Sequence, residues 1–242
     1  MQILIIRHGD PDYEIDSLTE KGWKEAGLLA ERLAKLEVKD FYVSPLGRAR
    51  DTAGVTLKKT GRKATELPWL QEFFRATIQK PNKEGRTIAW DWLPEDWMGE
   101  EKYYSKDEWL DTDIMRDSEV KKEYRWVCDG LDELLAKHGY VRQGNYYRVE
   151  KPNIDRIVLF CHFGVECVML SHLLGVSPMV LWHGFCAAPT SVTTINTEER
   201  RKGIASFRIA SFGDVSHLYA ADEPPAFHAR FCEVFGKEGE RC

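Results

Sequence analysis

The chain opens on a continuous apolar run, QILII at 2–6, that stops at Arg7. An apolar run without alternation predicts a strand buried on both faces. A polar, turn-rich stretch from Arg7 to Asp16 leads into Ser17-Leu18-Thr19-Glu20, which has the pattern of a capping box. Trp23, Ala26, Ala30, Leu33 and Leu36 then recur at intervals of three or four, the spacing of one helix face. Phe41-Tyr42-Val43 predicts a second short strand. Ser44-Pro45 offers an N-cap residue and a proline for the first helical position, so a helix is expected to run from there to about Gly61. Two strand–helix units in such quick succession imply parallel pairing with helical crossovers.

The same rhythm returns with RIVLFC at 156–161, a buried strand, and a helix whose apolar positions are Val165, Val168, Met169 and Leu173. Residues 192–196 and 205–210 predict two further strands. Between about 75 and 150 the rhythm is lost. This stretch holds Trp90, Trp92, Trp97, Trp109 and Trp126, five of the eight tryptophans. It also predicts a helix near 118–138 ending at Gly139, and a hairpin, YVRQGNYYRVE, turning at Gly144-Asn145. It reads as an insertion packed beside the sheet. The pattern as a whole predicts an α/β fold without repeats.

Composition narrows the classes. With 43% hydrophobic and 30% charged residues, the 242-residue chain is of ordinary globular type. Thirty-four basic against thirty-nine acidic side chains give a net charge of −5, which disfavours a nucleic-acid partner. No apolar run approaches the ~20 residues of a membrane span, and MQILII is too short for a signal peptide. Six cysteines (Cys128, Cys161, Cys167, Cys186, Cys232 and Cys242) form no CxxC pair, and several sit in apolar stretches. Buried, reduced thiols in a cytoplasmic protein are expected.

Candidate chemistry gathers at strand ends. His8 follows the first buried strand with one arginine between, and His162 follows RIVLFC directly. The carboxyl ends of parallel strands form the ligand edge of an open sheet, so these two histidines are expected to meet there. Gly9 and Gly164 lie close behind them and would allow near approach of backbone. Arg48 falls in the first turn of the helix expected after strand 41–43, at the same edge, and Arg7 adjoins His8. Two guanidinium groups, two imidazoles and helix N-termini suit a doubly charged oxyanion. Neither a Walker-type loop nor a magnesium-binding aspartate cluster accompanies them.

Arg7-His8-Gly9 after an N-terminal strand resembles the signature of the histidine phosphatase (phosphoglycerate mutase-like) superfamily. SPLGRARDTA at 44–53 resembles that family's second-arginine segment, and LQE at 70–72 and FCHFG at 160–164 follow in the family's order. The resemblance implies a three-layer α/β/α fold with a mainly parallel sheet and an inserted cap subdomain. A single domain over 1–242 is expected, with its core at about 1–75 and 151–242 and the aromatic cap at about 76–150. It further implies that His8 is a nucleophile that becomes phosphohistidine, and that Arg7, Arg48 and His162 bind the phosphoryl oxygens. Glu72 would protonate the leaving oxygen and then activate water. No metal and no cofactor are implied. The substrate would be a small-molecule phosphate ester, and exposed cap aromatics would suit a homo-oligomer contact.

The sequence departs from the family where Asp10-Pro11-Asp12-Tyr13 replaces the Glu or Thr that follows the glycine in mutases. Asp10 would repel an anion unless its carboxylate is engaged elsewhere. Phe163 stands where another branch has its acid, which leaves Glu72 for that role. Phosphomonoesterase activity is therefore favoured over a phosphoglycerate mutase-type isomerase, with a phosphate-binding regulatory module as a third reading.

His138, His172, His217 and His228 fit core or capping duty. His183 and Cys186 have metal-compatible spacing but no second pair to complete a site. Arg7 and Arg48 could pair with Asp10 and Asp51. The cap tryptophans could build a small core of their own or line a lid. Residues 91–123 carry twelve acidic and five basic side chains, either a solvated face or a field that disfavours polyanionic substrates.

Overall fold

A computed structural model describes residues 1–228. Cys232, Cys242 and the end of the predicted core segment lie outside the described residues. The chain runs through β1 (Gln2–Arg7), the short pair β2 (Pro11–Asp12) and β3 (Ser17–Leu18), α1 (Glu20–Leu33), β4 (Asp40–Val43), α2 (Gly47–Thr60) and β5 (Ala64–Glu66). The middle carries β6 (Thr77–Gln79), β7 (Arg86–Ile88), α3 (Pro94–Trp97), α4 (Asp113–Arg116) and α5 (Val120–Lys137). There follow β8 (Tyr140–Gln143), β9 (Tyr146–Val149), β10 (Arg156–Cys161), α6 (Phe163–Leu174), α7 (Pro178–Gly184), β11 (Val192–Arg201), β12 (Ile204–Asp214) and α8 (Ser216–Tyr219).

Eight strands form one sheet in the order β5-β4-β10-β1-β11-β12-β9-β8. Pairings from β5 to β1 are parallel, and those from β1 to β8 antiparallel. Two antiparallel steps restore direction, so β5, β4, β10, β1, β12 and β8 run one way, with β11 and β9 opposed. The sheet is thus mainly parallel. Side chains of β1 and β10 alternate between two cores. Leu4, Ile6, Val158 and Phe160 pack with Leu29 and Leu33 of α1 and Ala53 of α2. Ile3, Ile5, Ile157 and Leu159 pack on the other face with Leu131, Leu134 and Leu135 of α5 and Val165 and Val168 of α6. Helices on both faces make the three layers.

Several local expectations give way. Thr19, not Ser17, caps α1, its hydroxyl accepting from Gly22 N–H at 3.0 Å, while Ser17 donates to Asp51 at 2.5 Å. Trp23 is 44% exposed and Glu25 takes a place on the buried face. Gly22 also faces inward, so close to the loop after His8 that a Cβ there would lie 2.2 Å from Asp10 O. Helix α2 starts at Gly47 rather than Pro45, with Leu46 as its uncapped N-cap. Ser44 instead bonds His162, and Asp16 accepts from Gly47 N–H at 2.7 Å. The helix does close at Gly61, φ +66°, and α5 at Gly139, φ +91°.

The hairpin β8–β9 does not stay with the insertion. Tyr147 pairs with Ala205 and Arg148 with Ile204, so it extends the sheet beyond β12. Strands β11 and β12 also outrun their apolar stretches, because the antiparallel ladder continues through the polar residues 197–201. The insertion's aromatics build no separate core. Trp90, Trp92, Trp97 and Trp109 belong to the same cluster as Ile3, Ile5 and Leu159, and Trp109 packs edge-on against Trp182 of α7. Of the twelve acids at 91–123, all but half-buried Asp96 and buried Glu123 are exposed. They form a solvated face.

Candidate active site

Strands β1 and β10 pair in parallel with Arg7 opposite Cys161. His8 and His162, each one residue past its strand, therefore emerge side by side, with ring centroids 5.0 Å apart. Both rings are buried. Burial, reinforced for His8 by Arg7 and Arg48, holds both imidazoles well below their usual range, so both are neutral at ordinary pH. His8 Nδ1 lies 2.8 Å from Gly9 O. A carbonyl only accepts, so Nδ1 carries the proton and Nε2 offers its lone pair.

His162 Nε2 lies 2.8 Å from Ser44 Oγ. That hydroxyl also accepts from Leu46 N–H at 3.2 Å. The other ring nitrogen, His162 Nδ1, is buried without a partner among the described residues. A ligand oxygen would satisfy it. Arg7 is buried at the end of β1, its Nη1 donating to Ala187 O. Arg48, in the first turn of α2, forms an ion pair with Asp16 at 2.6 Å and lies under the Tyr13 ring at 5.4 Å. Its buried Nε has no partner among the described residues.

Glu72 reaches the start of α6, the helix capped by His162. Its Oε1 accepts from Phe73 N–H at 2.7 Å and Val165 N–H at 3.0 Å, and its Oε2 accepts from Gly164 N–H at 3.3 Å. Burial raises its pKa above the ordinary glutamate value, against the opposing pull of those amides and Arg48. Gly164 makes room for this: a Cβ there would stand 2.6 Å from Glu72 Oε1 and 2.8 Å from Trp90 Nε1. The indoles frame the cradle, Trp90 donating to Phe73 O at 2.8 Å and Trp182 to Gly164 O at 3.0 Å.

All five residues predicted from the sequence thus lie around one sheet edge. The arrangement offers a neutral nucleophilic nitrogen, two guanidinium groups, an unsatisfied imidazole nitrogen and a carboxyl group able to hold a proton. Asp10 is engaged elsewhere, accepting from Thr19 Oγ1 at 2.7 Å and lying 3.2 Å from His228 Nδ1. Asp51 pairs with Ser17, not Arg48. Sequence reasoning missed Glu166, wholly buried in the first turn of α6 and pushed by burial to about 7, and Asp16. Glu166 carried a usable signal: a charged residue inside the apolar run after His162. Asp16 carried none, because its partners come from a distant helix.

The remaining histidines divide. His138 bonds Tyr42 Oη at 2.9 Å, His172 bonds Asp132 at 2.9 Å and His217 lies 3.2 Å from Thr190 Oγ1. His228 is neither core nor cap: it is exposed and pairs with Asp10. His183 has both ring nitrogens engaged, with Trp92 N–H and Met179 O. Cys128, Cys161 and Cys167 are buried free thiols, while Cys186 is exposed. Among the described residues, no helix is long and apolar enough to cross a membrane.

A family model described as the histidine phosphatase superfamily (branch 1) matches residues 3–139. A 2,3-bisphosphoglycerate-dependent phosphoglycerate mutase of Thermoplasma acidophilum is 37% identical over 62 residues, covering 22% of this chain and 31% of the relative. A probable phosphoglycerate mutase of Photorhabdus laumondii is 29% identical over 96 residues, covering 36% and 45%. The chain matches less than half the length of either relative. A mycobacterial glucosyl-3-phosphoglycerate phosphatase complexed with VO3 has a TM-score of 0.57 at 20% identity, covering 87% of this chain and 98% of that one. This likeness is one of fold.

Proposed function

Because the chain belongs to the histidine phosphatase superfamily (branch 1), we propose that it is a phosphomonoesterase acting on a small phosphorylated metabolite through a phosphohistidine at His8. The observation that carries this reading is the tautomer of His8: with Nδ1–H held by Gly9 O, Nε2 is a neutral nucleophile. Nε2 attacks phosphorus in line, and the bond from phosphorus to the ester oxygen breaks. Glu72 delivers its proton to that leaving oxygen, for which its raised pKa suits it. In the second step Glu72, now ionised, takes a proton from water as the water oxygen attacks phosphorus. The P–N bond breaks, giving phosphate and neutral His8. Arg7, Arg48 and His162 Nδ1–H would hold the equatorial oxygens, where transition-state charge is spread. A small phosphate ester is proposed as substrate. The acids at 91–123 face solvent and lend no support to charge-based rejection of polyanions.

The test is phosphate release from p-nitrophenyl phosphate across pH 4–8, with His8→Ala and Glu72→Gln beside the wild type. His8→Ala should abolish turnover, and Glu72→Gln should lower it by roughly 10²–10⁴-fold. Turnover surviving His8→Ala would sink the phosphohistidine mechanism. The names of the two matched relatives favour a second reading, a mutase-type phosphoryl transfer. Isomerisation of a phosphoglycerate without net phosphate release would select it.

A further inference from the structure

Helix α2 presents two donors to the loop after Gly9, the Gly47 N–H and the Arg48 guanidinium. One carboxylate takes both: Asp16 Oδ1 meets Arg48 Nη1 at 2.6 Å, and Asp16 Oδ2 meets Gly47 N–H at 2.7 Å. Two charge-assisted bonds to neighbouring donors are what a phosphate oxyanion would make there. We propose that Asp16 is a specificity-determining residue that competes with the substrate's phosphoryl group for Arg48, admitting anions that displace a carboxylate and excluding weaker ones. This rests on the phosphatase reading above, in that Arg48 is taken to bind the phosphoryl group.

Three observations carry it. The two partners are unequally buried: the Arg48 side chain is 11% exposed and that of Asp16 43%. Asp16 can therefore swing into solvent while Arg48 stays fixed on α2. Second, Asp16 does not satisfy the guanidinium, because Arg48 Nε is buried without a partner among the described residues. A tetrahedral oxyanion spreads three oxygens over such a fork, whereas a planar carboxylate already bonded to Gly47 N–H leaves Nε empty. Third, the loop holding Asp16 has independent anchors that do not need the ion pair. Pro11 and Asp12 pair with Leu18 and Ser17, and Ser17 Oγ bonds Asp51 at 2.5 Å. Swinging the carboxylate away costs one partly exposed ion pair and one amide bond. A dianion regains both and adds the Nε contact, whereas a monoanionic carboxylate gains little over Asp16 itself.

The test is Asp16→Asn, read by calorimetric binding of inorganic phosphate and by phosphate inhibition of p-nitrophenyl phosphate hydrolysis. Asparagine keeps an acceptor for Gly47 N–H and tolerates the backbone at residue 16, φ +49°. Asp16→Ser serves as second variant should asparagine disturb the loop. Removing the competing charge should tighten phosphate binding about three- to tenfold and lower KM in parallel. Were Asp16 only a counter-ion that positions Arg48, the same change would weaken phosphate binding. Weakened or unchanged affinity overturns the proposal. Arg48→Ala provides the control: phosphate affinity unmoved by it, with no wild-type hydrolysis, would overturn the phosphatase reading instead.

Discussion

At the scale of single residues, the site depends on positions that carry no chemistry. Gly164 is the clearest. Alanine is the better helix former there, yet its Cβ would overlap the Glu72 carboxylate and the Trp90 indole. Gly164→Ala is expected to leave the melting temperature within a few degrees while lowering kcat about a hundredfold, with pre-steady-state kinetics showing slowed phosphorylation of His8. Loss of fold instead of kcat would mean that neither the acid nor the indole can move aside. A second expectation concerns pH. On the proposed mechanism Glu72 holds a proton for the first step, so kcat should fall as pH rises through its raised pKa. Neutral His8 keeps its lone pair well below the ordinary imidazole range, so it imposes no acid limb near pH 6.5. A pH profile still rising above neutrality would contradict this assignment. The histidines and arginines were legible because strand ends are legible. Glu72 was reached through the family resemblance alone, since it approaches α6 from ninety-two residues away. Asp16 was illegible for the same reason, as local sequence does not encode which distant helix a loop carboxylate will meet.

Among elements, the buried strands β1 and β10 and the helices ending at glycine were the readable parts, since their signals are local. Where tertiary contacts took over a polar side chain, the boundaries moved. Ser44 had the chemistry of an N-cap but was drawn to His162, and Asp16 supplied the amide's partner in its place. The hairpin's turn could be read at Gly144, but its docking on β12 depends on Tyr147 and Phe207, whose rings meet edge-on at 4.9 Å. Helix α1 offers a measurable case. Thr19 both caps Gly22 N–H and donates to Asp10. Thr19→Ala should cost about 1–2 kcal/mol in chemical denaturation, the upper end of a lost N-cap, because Asp10 also loses a donor. A change below ~0.5 kcal/mol would show that water replaces both bonds.

Over the whole molecule, Glu25 joins distant parts. Its buried carboxylate accepts from Asp10 N–H at 3.2 Å and from Ala226 N–H at 2.8 Å, tying the loop beside His8 to the far end of the described chain. Burial raises its pKa to about 7. The folded state therefore binds more protons than the unfolded one between the ordinary glutamate value and about 7, and this contribution to stability is lost as pH rises through that window. Glu25→Gln, neutral throughout, should remove that dependence. The melting temperature of the wild type minus that of the variant should be larger at pH 5 than at pH 8, and a pH-independent difference would refute the linkage. The shared core has a last consequence. Because the insertion's tryptophans pack into the same cluster as β1 and β10, the insertion has no apolar interior with which to melt alone. Tryptophan emission, weighted towards the insertion, and far-ultraviolet circular dichroism, weighted towards the helices, should then trace one superimposable transition, with the aromatic segment acting as the optical reporter of the whole fold.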